Sequence, residues 1–207
     1  MDGLMFNTED VYFQVGKRLM ERRGYTYPQE LCNAIMGCPP QTAFETMIRW
    51  HNLPDTWQEL QKESETTFFE LLDLYLQPMP GLMEWLEYLE KRNIPRAICT
   101  SSSRTVMEGV TRRFGLEERF DFTLTANEIV HGKPHPDIYL QAADRFGVLP
   151  ESMMVLEDSQ NGCQAGANAG AFVVAVPAEH SRQMDFSMAT RQVTSLADPE
   201  LYQFLDF

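Results

Sequence analysis

The chain has 207 residues, with 17 Lys+Arg against 30 Asp+Glu and a formal net charge of −13. That length fits one large domain or a core carrying a smaller insert, and 43% apolar residues can build a sizeable core, which excludes a disordered chain. The acidic excess leaves no basic stripe for the phosphates of nucleic acid, yet it admits a small phosphorylated substrate held through a divalent cation.

The chain opens directly on Met1-Asp2-Gly3, an acid–glycine turn signal with no strand ahead of it. Val11, Val15, Leu19 and Met20 then recur at helical spacing over residues 8–24, and Gly24 ends that helix. Pro28 begins a second short helix that ends near Gly37. Pro39-Pro40 opens a third, running through Phe44, Met47, Ile48 and Trp50. Asp55 is placed to cap a fourth, which carries Trp57, Leu60, Phe68, Leu71, Leu72 and Tyr75. The aromatic residues Phe44, Trp50 and Trp57 read as packing. Helices without strands thus fill about 8–76, and Gln77-Pro78-Met79-Pro80-Gly81 punctuates the chain.

The pattern then alternates. A helix over 81–92 shows Leu82, Trp85, Leu86 and Leu89 on one face, and Arg96–Thr100 reads as a strand. A helix over about 104–114 precedes the strand Phe120–Leu124. A helix over 136–146 precedes the buried strand Met153–Leu156. A small-residue helix over about 160–169 precedes the strand Ala171–Val176, and Ala197–Leu205 suggests a final helix. Short strands alternating with helices of 10–14 residues predict βαβ units and a Rossmann-like parallel sheet, an α/β fold. Ligands of such sheets bind beyond the carboxyl ends of the strands.

Four polar clusters fall at those ends. Asp2-Gly3 is the first. Thr100-Ser101-Ser102-Ser103-Arg104 offers hydroxyls and N–H groups that can cradle a phosphate, with a helix cap by Ser102 or Ser103 as the plainer use. His131-Gly132-Lys133-Pro134-His135-Pro136-Asp137 holds Lys133 as a fixed charge in a proline-stiffened loop. His131 and His135 resemble metal ligands, but nothing in the sequence reading supplies a third, and they are expected to be exposed or locally capping. Glu157-Asp158 ends a buried strand, where uncompensated charge calls for a cation, and hard oxygen ligands favour Mg²⁺. Ser159 or Asn161 can satisfy the following helix start. Together the clusters suit phosphoryl transfer from a phosphorylated small molecule.

These segments, in this order, resemble the haloacid dehalogenase superfamily, in particular its beta-phosphoglucomutase-like phosphatases: Met1-Asp2-Gly3-Leu4, the strand ending in Thr100-Ser101, Gly132-Lys133-Pro134-His135-Pro136-Asp137, and Leu156-Glu157-Asp158-Ser159. The resemblance implies a core of 1–8 plus 77–207 and a small helical cap domain over 9–76, inserted after the first motif. It implies Mg²⁺-dependent hydrolysis of a small phosphorylated metabolite through an aspartyl-phosphate. Asp2 aligns with the general acid and base, with its backbone carbonyl toward the metal. Ser101, with Ser102 beside it, falls where the phosphoryl group is bound. Lys133 steadies nucleophile and phosphate. Asp2, Glu157 and Asp158 form the metal set, Asn7 and Thr8 lie at the cap junction, and Arg104 is a possible substrate contact.

The family's attacking aspartate stands two positions before Asp2, outside these 207 residues. The expectation is an N-terminal truncation or an internal start codon, with weak activity in this form and restored activity in one extended to Asp-Met-Asp. Mutase members carry a histidine where Tyr12 stands and an arginine near Gly37, so the departures favour a phosphatase. A sugar phosphate mutase and a non-catalytic phosphate-binding protein are the alternatives. Cys32, Cys38, Cys99 and Cys163 form no CxxC pair, which predicts a reducing, cytoplasmic setting. No apolar run approaches the roughly 20 residues of a membrane span, and Asp2, Glu9 and Asp10 do not suit a secretory signal. A monomer or weak dimer without nucleic-acid or membrane partners is expected. Residues 178–207 carry no functional signal.

Overall fold

Apolar side chains every three to four residues commit the segment after Asn7 to helices. The computed structural model describes residues 1–35, 38 and 40–205, and the chain divides into two compact units: Met1–Asn7 with Gln77–Phe207, and Thr8–Leu76. In the second unit, α1 (Thr8–Glu21) buries Val11, Val15, Leu19 and Met20, the stripe its spacing predicts, and Glu9 and Asp10 sit in the first turn, where the helix dipole favours negative charge. Helices α2 (Gln29–Ile35) and α3 (Pro40–His51) follow, while Gly37 and Pro39 lie outside the described residues.

Helix α4 (Trp57–Tyr75) starts one residue later than Asp55 would set it. Thr56 is the cap, in a reciprocal box with Glu59, because the threonine hydroxyl reaches the Glu59 N–H while the Glu59 carboxylate takes the Thr56 N–H at 2.8 Å. Asp55 instead receives Arg23 at 2.7 Å. The buried stripe Leu60, Ser64, Thr67, Phe68, Leu71 and Leu72 turns α4 toward α1, and the Tyr12 ring stacks on Phe68 at 4.6 Å. Trp50, expected to pack, is 48% exposed. Arg22, Arg23, Asp55 and Glu63 line a cleft of about 480 Å³, and both arginines are already bonded to carboxylates.

The first unit is α/β. Strand β1 (Ala97–Cys99) pairs in parallel with β2 (Phe122–Leu124). Strands β3 (Met154–Glu157), β4 (Phe172–Ala175) and β5 (Arg191–Gln192) form a second parallel sheet, with Val155 opposite Val173 and Glu157 opposite Ala175. The predicted single sheet is therefore two among the described residues. β5 escapes the sequence because it is two exposed polar residues, without the apolar run that marks β3 and β4.

Helices α5 (Leu82–Lys91), α6 (Arg104–Arg112), α7 (Asp137–Phe146) and α8 (Gln160–Ala169) follow the predicted order, and α9 (Pro199–Gln203) is shorter than the 197–205 expected because Asp198 caps it. Leu124, Ile138, Ala142, Val155, Cys163, Ala165 and Val173 form a core between strands and helices. Each fully buried large apolar side chain there contributes about 1.5–3 kcal/mol. No helix among the described residues is long and apolar enough to cross a membrane.

Candidate active site

Buried strands deliver their first polar residue wherever the sheet ends, and three segments converge that way in the α/β unit. Met1–Phe6 is a tight turn: the Met5 N–H donates to the Met1 carbonyl at 2.8 Å and the Gly3 N–H to that of Phe6 at 2.9 Å. Gly3 sits at φ +66°, and a Cβ there would come within 2.1 Å of Asp158 Oδ2. Only glycine lets the Asp158 carboxylate lie against this turn.

Asp2 points to the end of β1. Its Oδ2 accepts the Ser102 hydroxyl at 2.8 Å and the Thr100 hydroxyl at 3.1 Å. Its Oδ1 is buried and has no partner. Ser103, not Ser102, caps α6 through the Val106 N–H, which frees Ser102 for Asp2. Ser101 is exposed.

Lys133 projects from the loop before α7. Its Nζ donates to the Cys99 carbonyl at 3.0 Å and to Glu157 Oε1, which also accepts the Tyr139 hydroxyl. Glu157 Oε2 accepts Ser159 Oγ at 3.3 Å, and the same serine caps α8 by accepting the Gly162 N–H at 3.2 Å. A Cβ on Gly162 would fall 1.9 Å from Glu157 Oε2, so this glycine makes the carboxylate's space. Burial works against the charge on Glu157, but the ammonium of Lys133 and the Tyr139 hydroxyl act the other way, and the carboxyl lies below its ordinary range. Tyr139 is pushed well above the usual phenol value, by burial first and then by the Glu157 charge. Burial likewise pushes the Cys99 thiol up to about 11, so it stays protonated and is no nucleophile at neutral pH.

The neighbouring carboxylates differ. Asp158 is 8% exposed and meets His180 Nε2 at 3.5 Å. The expected metal donor of Asp2 is its backbone carbonyl; its carboxylate forms no trio with those of Glu157 and Asp158, and among the described residues the one trio of His, Cys, Asp or Glu side-chain donor atoms within 4.8 Å of each other is His131, His135 and Asp137. The reason lies in Glu157, whose oxygens are turned to Lys133, Tyr139 and Ser159. Asp158 and the Asp2 turn do fit a hard cation. Their donors are oxygens, since the Asp158 carboxylate lies against the turn that carries the Asp2 carbonyl, and the buried Asp2 Oδ1 is then a group that a proton would satisfy.

The remaining predicted residues have other work. Arg104 is bound to Glu128 through Nη2 and, at 3.1 Å, through Nε, so it ties α6 to the turn after β2. Asn7 pairs with Gln77, its N–H donating to the Gln77 carbonyl at 3.1 Å and its Oδ1 accepting the Gln77 N–H at 2.6 Å. The Thr8 hydroxyl is buried without a partner. His131 and His135 are exposed, as expected, and both contact Asp137, at 2.9 and 3.0 Å.

A family model described as haloacid dehalogenase-like hydrolase matches residues 1–176. The chain belongs to this family. A probable pseudouridine-5'-phosphatase of Drosophila melanogaster is 36% identical over 99% of this chain and 90% of that protein. A phosphorylated carbohydrates phosphatase of Thermotoga maritima is 33% identical over 82% of this chain and 79% of its own length. The crystal structure of a putative beta-phosphoglucomutase from Thermotoga maritima matches with a TM-score of 0.86 at 28% identity, covering 100% of this chain and 95% of that one.

This haloacid dehalogenase-like hydrolase also holds its site with residues the sequence reading passed over. Thr100 stands at the head of the hydroxyl cluster, and its own hydroxyl reaches Asp2 at 3.1 Å. Tyr139 carries no signal in the sequence beyond its place in the helix α7, and it reaches Glu157 only through the fold. His180 stands in a stretch with no local signal, brought to Asp158 only by the crossover after β4.

Proposed function

We propose that the chain hydrolyses phosphomonoesters of small metabolites, with Asp2 as proton donor and acceptor and Mg²⁺ as the cation at Asp158 and Asp2. One observation carries this reading: Asp2 is oriented by two hydroxyls on Oδ2 while its buried Oδ1 has no partner. Oδ1 is then the atom that gives a proton to the departing alkoxide and later takes one from water. In the family pattern a carboxylate two positions before Asp2 attacks phosphorus, and the P–O bond to the organic group breaks as that alkoxide is protonated. Water then attacks the phosphoryl-aspartate, its proton passing to Asp2, and inorganic phosphate leaves with restoration of the carboxylate.

Mg²⁺, when bound, supplies positive charge against the phosphoryl oxygens. Lys133 adds a second positive charge, fixed by Glu157 and the Cys99 carbonyl. Ser101 is the phosphoryl-binding hydroxyl in this reading, and Ser102, expected beside it, gives its single hydroxyl proton to Asp2 and orients the acid instead. Glu157 acts as counter-charge to Lys133, and Tyr139 and Ser159 orient it. The helical unit is read as the family's small cap domain, and Asn7 and Thr8 as its junction. The relatives make a nucleoside 5'-phosphate or a sugar phosphate the first substrates to try, in a cytoplasmic setting that suits the free cysteines.

Mg²⁺-dependent phosphate release from pseudouridine 5'-phosphate and hexose phosphates tests this in residues 1–207 and in the same chain with an aspartate added two positions before Asp2. Faster release by the second form is expected. Equal turnover by both sinks the aspartyl-phosphate route, and Mg²⁺-dependent phosphate binding without turnover by either makes the protein a binder. The likeness to a putative beta-phosphoglucomutase favours a second reading, which hexose 6-phosphate formed from hexose 1-phosphate would establish.

A further inference from the structure

The loop before α7 carries a second set of donors that the phosphatase reading leaves unused. His131 Nδ1 lies 2.9 Å from Asp137 Oδ2, and His135 Nδ1 lies 3.0 Å from Asp137 Oδ1. The imidazole centroids are 4.7 Å apart and tilted by 33°. We propose that His131, His135 and Asp137 bind one borderline divalent transition-metal ion, with Zn²⁺ as the reference, and that this ion clips the loop presenting Lys133.

The donor chemistry selects the metal. Two imidazoles and one carboxylate suit Zn²⁺, Co²⁺ or Cu²⁺, whereas Mg²⁺ prefers oxygen alone. In a tetrahedral Zn²⁺ site the donor atoms stand about 3.3 Å apart. The histidine–carboxylate separations here are already within a few tenths of an ångström of that, and all three donor atoms lie within 4.8 Å of one another. The histidine side chains are 62% and 58% exposed, so rotation of these rings can close the set and water can fill the open position.

The location gives the ion a consequence. Lys133 sits between the two histidines, and its Nζ bridges the Cys99 carbonyl and Glu157. A metal joining residues 131, 135 and 137 closes a ring around that lysine and restrains it through the backbone.

The test uses residues 1–207 with excess Mg²⁺ present. Co²⁺ titration is expected to give visible bands saturating at one equivalent, displaced by Zn²⁺. His131→Ala and His135→Ala are each expected to weaken binding at least about tenfold, the loss that even an outer-shell partner of a metal produces. Asp158→Asn should leave the bands in place, which separates this site from the Mg²⁺ reading. The chain has 4 histidines, so imidazole NMR during Zn²⁺ titration gives a readout that needs no variant. Shifts confined to His131 and His135 support the proposal. Equal shifts at His51 and His180, bands that survive the double alanine variant, or no binding at all overturn it.

Discussion

In the helical unit Arg23 meets Asp55 and Glu63, and Arg22 meets Glu63 and Glu70, so opposite charges are matched over a part-buried surface. At the strand ends of the α/β unit the matching is partial. Glu157 has Lys133 and two hydroxyls, whereas Asp2 next to the Gly3 turn keeps a buried oxygen without a partner. The helical pairs stay in reach of water, with Asp55, Glu63 and Glu70 side chains 18, 27 and 52% exposed, whereas Glu157 and Asp158 are buried. A charge whose hydrogen bonds are all satisfied holds the fold, and one left with spare capacity is available for chemistry.

The widest split between the two regions is expected at Asp2. In a form that turns over phosphomonoesters, Asp2→Asn should lower kcat by roughly 100- to 10,000-fold, the usual loss with a general acid or base. Its melting temperature should hold or rise, since a buried charge is removed. A lower melting temperature with kcat kept would put Asp2 in the same class as Glu63.

Next in size is Lys133→Met, which strands the Glu157 carboxylate. A loss of about 3–5 kcal/mol is expected from urea unfolding, typical of a buried pair broken on one side. Adding Glu157→Leu should recover most of it. If the double variant is as unstable as the single, the pair is not what holds these strand ends together.

Arg23→Ala asks the same of the helical unit. Loss of a guanidinium shared by two carboxylates should cost about 1.5–3 kcal/mol, the scale of hydrogen bonds to charged groups. A change near zero would mean that this network is ordinary surface charge.

The smallest effect is expected at Glu128. The Thr125 hydroxyl, then Arg104, hold its carboxyl down to about 2. A folded-state pKa below the unfolded one of about 4.3 stabilises the fold above that value, and the contribution fades as pH falls toward 2. Glu128→Gln should therefore lower the melting temperature near pH 6, by roughly 2–4 °C per kcal/mol, with the gap from wild type narrowing as the acid increases. A gap that does not narrow would remove Glu128 ionisation as its cause.

Much of this contrast is legible in the amino-acid sequence. The stripe Val11, Val15, Leu19 and Met20 identified α1, and the apolar runs at 153–156 and 171–176 located β3 and β4, because burial imposes a period on sequence. The acids after β3 followed from the same logic. Partnership did not. Nothing local says that Glu157 turns to Lys133 while Asp158 meets His180, since those contacts join segments more than twenty residues apart. Asp55 was a sound cap by type, but Thr56 has a glutamate three residues on and completes the reciprocal box. β5 carries no signal because two polar edge residues need no pattern to pair.

Residues 5–7 and 77–79 run side by side: the Met79 N–H donates to the Met5 carbonyl at 2.8 Å, Phe6 bridges Pro78, and Asn7 pairs with Gln77. The two legs leading into and out of Thr8–Leu76 are thus zipped together by the α/β unit itself. Whatever lies beyond them is a loop whose closure the core has already arranged, and the entropy of closing it grows only with the logarithm of its length. The excursion is interchangeable in principle. An α/β unit with a short glycine-containing turn in place of Thr8–Leu76 should fold cooperatively, as circular dichroism and a single melting transition would show, and so serve as a minimal scaffold on which other excursions can be grafted.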